Sequence, residues 1–159
     1  MNRLYERTTR RCTPSLIDAA LSAEIAAHAE AHQLGDVLGA GANCFETWNV
    51  RLRKPGPLFR LIGSSDPDTA HRTVVVVGSR YVVVAVEGRR RGFHVRSARL
   101  DGVSLSGSSE LYADFGVSVA ALWSGGQEAA SFYIGVGDDP EGHAFLDELY
   151  SAVARAKSA

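Results

Sequence analysis

The period of hydrophobic and polar positions changes twice along the chain, and each change marks a change of element. Ile17, Leu21 and Ile25 recur at helical spacing, and His28 and His32 continue the stripe by two further turns. Thr13 is placed to cap this helix, with Pro14 in its first turn and Gly35 as its stop. The spacing predicts a helix from Pro14 to about Leu34. The polar residues 1–13 before it are expected to be a flexible lead. Residues 35–43 are glycine-rich and read as a connector.

From Cys44 the period is two. Trp48, Val50 and Leu52 fall on one face, Thr47, Asn49, Arg51 and Arg53 on the other, as in a strand with one wet face. Lys54-Pro55-Gly56-Pro57 is a turn, and Leu58 to Ile62 a candidate short strand. Thr73 to Val77 and Tyr81 to Glu87 are β-branched and aromatic and carry the strongest strand signal. Gly78-Ser79 between them suits a two-residue hairpin. Gly88 to Gly92 encloses three arginines in the next turn, and a strand follows from Phe93. Val103 to Leu105, Val117 to Trp123 and Ala129 to Val136 complete the set. Asp139 and Pro140 then open a helix with an apolar stripe of Phe145, Leu146, Leu149, Val153 and Ala156.

The expected architecture is α+β: about seven antiparallel strands joined by short turns, an extra N-terminal helix and a C-terminal amphipathic helix. Short turns force antiparallel neighbours, because parallel crossovers are longer. The expected organisation is a lead (1–13), a helix with its connector (14–43) and a β domain closed by a helix (44–157), together one domain. In this order residues 44–157 resemble a bacterial pleckstrin-homology-like (PH/GRAM-type) domain. Phe145 and Tyr150 stand in the closing helix, where eukaryotic members typically keep a tryptophan. The resemblance implies a sandwich or partly open barrel. Its phosphoinositide-binding members carry basic residues at inter-strand loops, so it also implies contact with a lipid headgroup. A secretion-chaperone-like α+β arrangement is the rival, and a helix between residues 98 and 116 would mark it.

Composition is ordinary for a globular domain, with 45% apolar and 22% charged residues in 159. Charge changes the picture more. The net charge of −1 hides a chain that is acidic at both ends, whereas residues 51–99 hold eleven basic and three acidic side chains. The preference for Arg over Lys, with abundant Ala, Gly and Val, matches high-GC bacterial coding. No apolar run reaches the roughly 20 residues of a membrane helix, and the residues after Arg10-Arg11 do not form an export signal. A cytoplasmic location follows, with peripheral attachment to a membrane as an option.

The candidate chemistry is anion binding by Arg51, Arg53, Lys54, Arg89, Arg90, Arg91 and Arg96, since outward arginines on adjacent strands recognise phosphate or carboxylate as a fork. Glu24, His28 and His32 share one helical face at spacings of four. They form a weak metal candidate without the zinc-protease signature, because Ala29 follows His28. Cys12 and Cys44 show neither zinc nor disulfide-framework spacing and read as reduced thiols. Asp138, Asp139 and Glu141 read as helix-start residues, and Ser64, Ser65, Asp66 and His71 as a chance cluster. Trp48, Trp123, Phe132 and Tyr133 are expected to pack.

The favoured expectation is a non-catalytic, cofactor-free binding module whose basic sheet edge meets an anionic lipid headgroup or an acidic protein surface. Nucleic acid is disfavoured by a pI near 6.5. One alternative is a protein-binding or oligomer-forming adaptor that uses the N-terminal helix. Another is a small-ligand or metal-dependent enzyme.

Overall fold

The computed structural model describes residues 5–39, 41–52, 68–107 and 115–159. Eight strands are described: β1 (Tyr5–Cys12), β2 (Asn43–Arg51), β3 (Ala70–Val77), β4 (Tyr81–Gly88), β5 (Gly92–Arg99), β6 (Ser104–Gly107), β7 (Gly116–Ala121) and β8 (Ala130–Gly135). Helix α1 (Ala19–Ala31) lies between β1 and β2, and helix α2 (Pro140–Ser158) ends the chain. The fold is α+β, with two antiparallel sheets of order β1-β2-β3-β4-β5 and β6-β7-β8. The described strands close no barrel.

Residues 5–12 are a strand and not a loose lead. Every residue of β1 pairs with β2, from Tyr5↔Arg51 to Cys12↔Cys44. Eight residues without Gly or Pro, with Thr8 and Thr9 at the centre, supply the β preference that their polarity obscures.

The helix also starts later than its sequence signals suggest. Pro14–Leu16 forms only a 3-10 turn, and Ile17 is extended. Asp18 is the N-cap, its carboxylate accepting from the Leu21 amide at 3.3 Å. Thr13 instead bonds Ser15. The stripe itself is as expected, with Ile17, Leu21 and Ile25 all buried. Gly78 and Tyr81 close the β3–β4 turn through a 3.0 Å bond, so its tip is Ser79 and Arg80, one residue later than the expected Gly78-Ser79. Between residues 98 and 116 the described chain holds a 3-10 turn (Leu100–Gly102) and β6.

Both faces of the larger sheet are covered. On the outer face α1 packs over a cluster of Cys12, Cys44, Val74, Val76, Val83 and Ala85. On the inner face β7, β8 and α2 enclose the larger core, which includes Phe45, Val75, Val84, Val119, Ile134, Phe145 and Leu149. Phe45 meets Phe145 edge-on at 5.3 Å. Each such buried side chain contributes roughly 1.5–3 kcal/mol. Asp139 caps α2 by accepting from Gly142 at 2.8 Å, and its second oxygen accepts from the Thr9 amide at 3.0 Å. Arg11 lies over the Phe45 ring and pairs with Glu148. Helix α2 is thus fastened to β1 by charge as well as by apolar packing.

Strand β2 inverts the expected polarity. Its polar face turns inward: Thr47 and Asn49 are 3% and 2% exposed. Its apolar face emerges beyond α1, leaving Trp48, Val50 and Leu52 about half exposed at 47%, 45% and 50%. Trp48 is covered only in part, by the Arg72 guanidinium.

Candidate anion-binding cleft

The strand register aligns the inner-face residues in rows across the sheet. Phe45, Val75 and Val84 form an apolar row that ends at Arg96 on β5. The next is Thr9, Thr47, Thr73, Val86 and His94, and the one beyond it holds Arg7, Asn49 and His71. The threonines are a boundary. Thr9 and Thr47 share a 2.8 Å hydroxyl bond, and Thr9 accepts from the Gly137 amide at 2.8 Å. On one side lies the core; on the other, the space between the sheets opens into a cleft of about 300 Å³.

Arg7, Arg91, Arg96, His71 and His94 line this cleft, with Tyr5, Asn49, Thr73, Phe132 and Tyr133 among their neighbours. No carboxylate is among the described lining residues. Asn49 fixes Arg7, accepting from its Nε at 2.7 Å, while the Asn49 amide donates to the carbonyls of Thr47 and His71 at 3.3 Å each. A Cβ at Gly135 would occupy the place of the Arg7 guanidinium, so β8 passes here as bare backbone. His71 meets Tyr5 edge-on at 5.6 Å.

Buried Asp68 organises the arginine turn. It accepts from the Arg90 amide at 2.7 Å, the Arg91 amide at 3.2 Å and Arg91 Nε at 3.1 Å. Burial pushes the Asp68 pKa up, but these bonds outweigh it and hold the carboxyl below its ordinary value. Gly88 makes the approach possible, because a Cβ there would collide with the Asp68 carboxylate. His94 Nε2 then donates to the Arg91 carbonyl at 2.9 Å.

Arg96 differs from its neighbours. Its guanidinium carbon lies 4.1 Å from the centre of the Phe132 ring. The side chain is half-buried, and burial lowers its pKa. Among the described residues no carboxylate pairs with it.

The structure therefore divides the expected anion-binding set. Arg91 and Arg96 meet in the cleft. Arg89 and Arg90 are exposed on the turn, and Arg51 is half-buried opposite Tyr5. Arg53 and Lys54 lie outside the described residues, as do Ser64, Ser65, Asp66 and the candidate strand at 58–62. Arg7, His71 and His94 join the site without having been expected there. Arg7 is brought there by the pairing of β1 with β2, opposite Asn49.

The histidine face of α1 does not gather ligands. His28 Nε2 bonds Ser97 Oγ at 2.9 Å and Ser124 Oγ at 3.4 Å, and its ring lies against His32. Glu24 and His32 are exposed. Among the described residues no group of three or more His, Cys, Asp or Glu is arranged to hold a metal. A larger hollow of about 520 Å³ lies beside Gly35, Gly39 and the β3–β4 turn, but Asp36 and Arg80 oppose each other in charge there. Among the described residues no helix is long and apolar enough to cross a membrane.

No family model, curated protein or solved structure matches this chain.

Proposed function

We propose that this chain is a non-catalytic binding module that receives a phosphate-bearing headgroup of an anionic lipid in the cleft. Arg7, Arg91 and Arg96 are the binding residues, and Arg89 and Arg90 face the surrounding anionic surface. One observation carries this reading: a half-buried guanidinium at Arg96 with no carboxylate beside it among the described residues. Desolvating a cation costs several kcal/mol unless an opposite charge answers it, and an anionic ligand would do so. Arginine forks suit phosphate oxygens, and the volume matches the lower end of small-molecule sites, about 300 Å³. The pleckstrin-homology-like reading of residues 44–157 agrees with such a ligand.

The test is binding to phosphatidylglycerol vesicles and to phosphatidylcholine vesicles, at low and high salt, with inorganic phosphate as competitor. Binding should require the anionic lipid, weaken with salt, and fall about tenfold in Arg96→Gln, the loss of roughly 1.4 kcal/mol. Absence of wild-type binding to anionic vesicles would overturn the lipid reading.

A second reading rests on the strip of Trp48, Val50 and Leu52, half exposed on the outer face. It suits an adaptor that contacts another protein. Helix α1 is a poor candidate for that contact, because Leu21 and Ile25 are already buried against the sheet. Sedimentation of the wild type and of Trp48→Lys distinguishes a self-associating strip from an inert one.

A further inference from the structure

Cys12 and Cys44 are separated in sequence by the whole of α1, yet they are direct cross-strand partners of β1 and β2. Directly opposed residues in an antiparallel pair have Cα atoms about 4.5–5.5 Å apart, inside the roughly 4.4–6.8 Å range of disulfides. Both thiols are free and buried, at 5% and 1% exposure, within one apolar cluster. Their thiols perturb each other across the strand pair. That interaction lowers the pKa of Cys44 and, with burial, raises that of Cys12. Cys44 is thus the sulfur that more readily becomes a thiolate, the reactive form.

We propose that Cys12 and Cys44 form an oxidation site that closes to a cross-strand disulfide on reaction with hydrogen peroxide. The Cys44 thiolate attacks a peroxide oxygen. The O–O bond breaks, Cys44 becomes a sulfenic acid, and the departing hydroxide takes up a proton as water. The Cys12 sulfur then attacks the Cys44 sulfur, the S–O bond breaks, and the released hydroxide leaves as a second water with the Cys12 proton. Two thiols lose two electrons in total, and one peroxide becomes two waters. Access is provided at the strand end. Cys12 is the last residue of an edge strand, followed by exposed Thr13, and strand ends open locally at low cost. Peroxide is little larger than water.

This inference stands apart from the cleft, and its test reads sulfur chemistry alone. The full chain, reduced and then treated with hydrogen peroxide, is followed by intact mass and by peptide mapping without reductant. The mass should fall by two hydrogens, and one peptide should link residues 12 and 44. The chain should remain free of intermolecular links, and dithiothreitol should restore both thiols. The oxidised chain should melt at a higher temperature than the reduced one, because the new bond closes a loop around α1. In Cys12→Ser, Cys44 should stop at the sulfenic acid and be captured by dimedone. Two free thiols surviving conditions that oxidise free cysteine would overturn the proposal. So would links between chains, or sulfinic acids without a bridge. The wild-type mass decides the matter even if a serine variant fails to fold.

Discussion

The inner face of the five-stranded sheet has two ends made from the same strands, and they are chemically opposite. One end is closed: Phe45, Val75 and Val84 lie under Phe145 and Leu149. The other is open: Arg7, Asn49 and His71 face a cleft, which Arg96 joins from β5 at the level of Val84. On β2 the change runs from Phe45 through Thr47 to Asn49, on β3 from Val75 through Thr73 to His71. Thr47 and Thr73 are register partners, so the change occurs at one level on β2 and β3, whereas on β5 Arg96 already stands opposite Val84. Secondary structure is continuous through that level. What differs is only which side chains replace water, by packing at one end and by hydrogen bonding at the other. Stability and the proposed binding are thus assigned to different stretches of the same strands, and substitution should separate them.

Phe145→Ala is expected to give the largest effect. It empties the closed end and should cost about 3–5 kcal/mol in denaturant unfolding, while any anion affinity of the remaining folded chain stays unchanged. Asp68→Ala acts at the boundary between fold and site. It removes three bonds that hold the arginine turn, and should cost roughly 1.5–3 kcal/mol, typical of hydrogen bonds to a charged group. Amide exchange at Arg90 and Arg91 should accelerate in parallel.

His28 sharpens the comparison on the outer face through pH. Burial and then the neighbouring His32 hold its pKa below the ordinary value of 6.5. Above 6.5 folded and unfolded chains both carry a neutral imidazole, so His28 adds no pH dependence there. As pH falls below 6.5 the unfolded chain binds the proton first, and stability declines toward the lower folded pKa. His28→Asn should flatten that decline in melting curves taken from pH 7 to 5. The smallest effect is expected for Arg89→Ala with Arg90→Ala, both exposed. Stability should move by less than about 0.5 kcal/mol. A larger loss would mean that the turn depends on its outer arginines as well as on Asp68.

Much of the fold is legible in the chain. The β3–β4 and β4–β5 hairpins, the Asp139-Pro140 helix start and the stripe of Ile17, Leu21 and Ile25 each rest on local signals that the tertiary structure obeys. β1 was hidden because its residues are polar, and its strand character comes from pairing with β2. Strand β2 was legible as a strand but not in its orientation. Alternation separates two faces without saying which is inward. Here the polar one is buried, because Asn49 and the threonines satisfy one another and Arg7. Two of the five charged or imidazole residues of the candidate site, Arg91 and Arg96, were visible as a cluster of basic residues. Arg7 and His71 reach it through register alone, which no short-range pattern contains. The cysteine pair was hidden for the same reason.

Asp68 has one further consequence, for selectivity. The two successive amides it engages, on Arg90 and Arg91, form the kind of backbone cup that elsewhere captures inorganic anions. In this protein the cup already holds a guest, supplied by the chain itself. An anion of the kind proposed would find these two amides taken and would be read chiefly by the guanidinium and imidazole groups of the cleft. Such recognition rewards flat, two-pronged oxygen groups and discriminates poorly against whatever is attached behind them. It also makes Lys a poor substitute for Arg96, since a point charge cannot present two parallel donors.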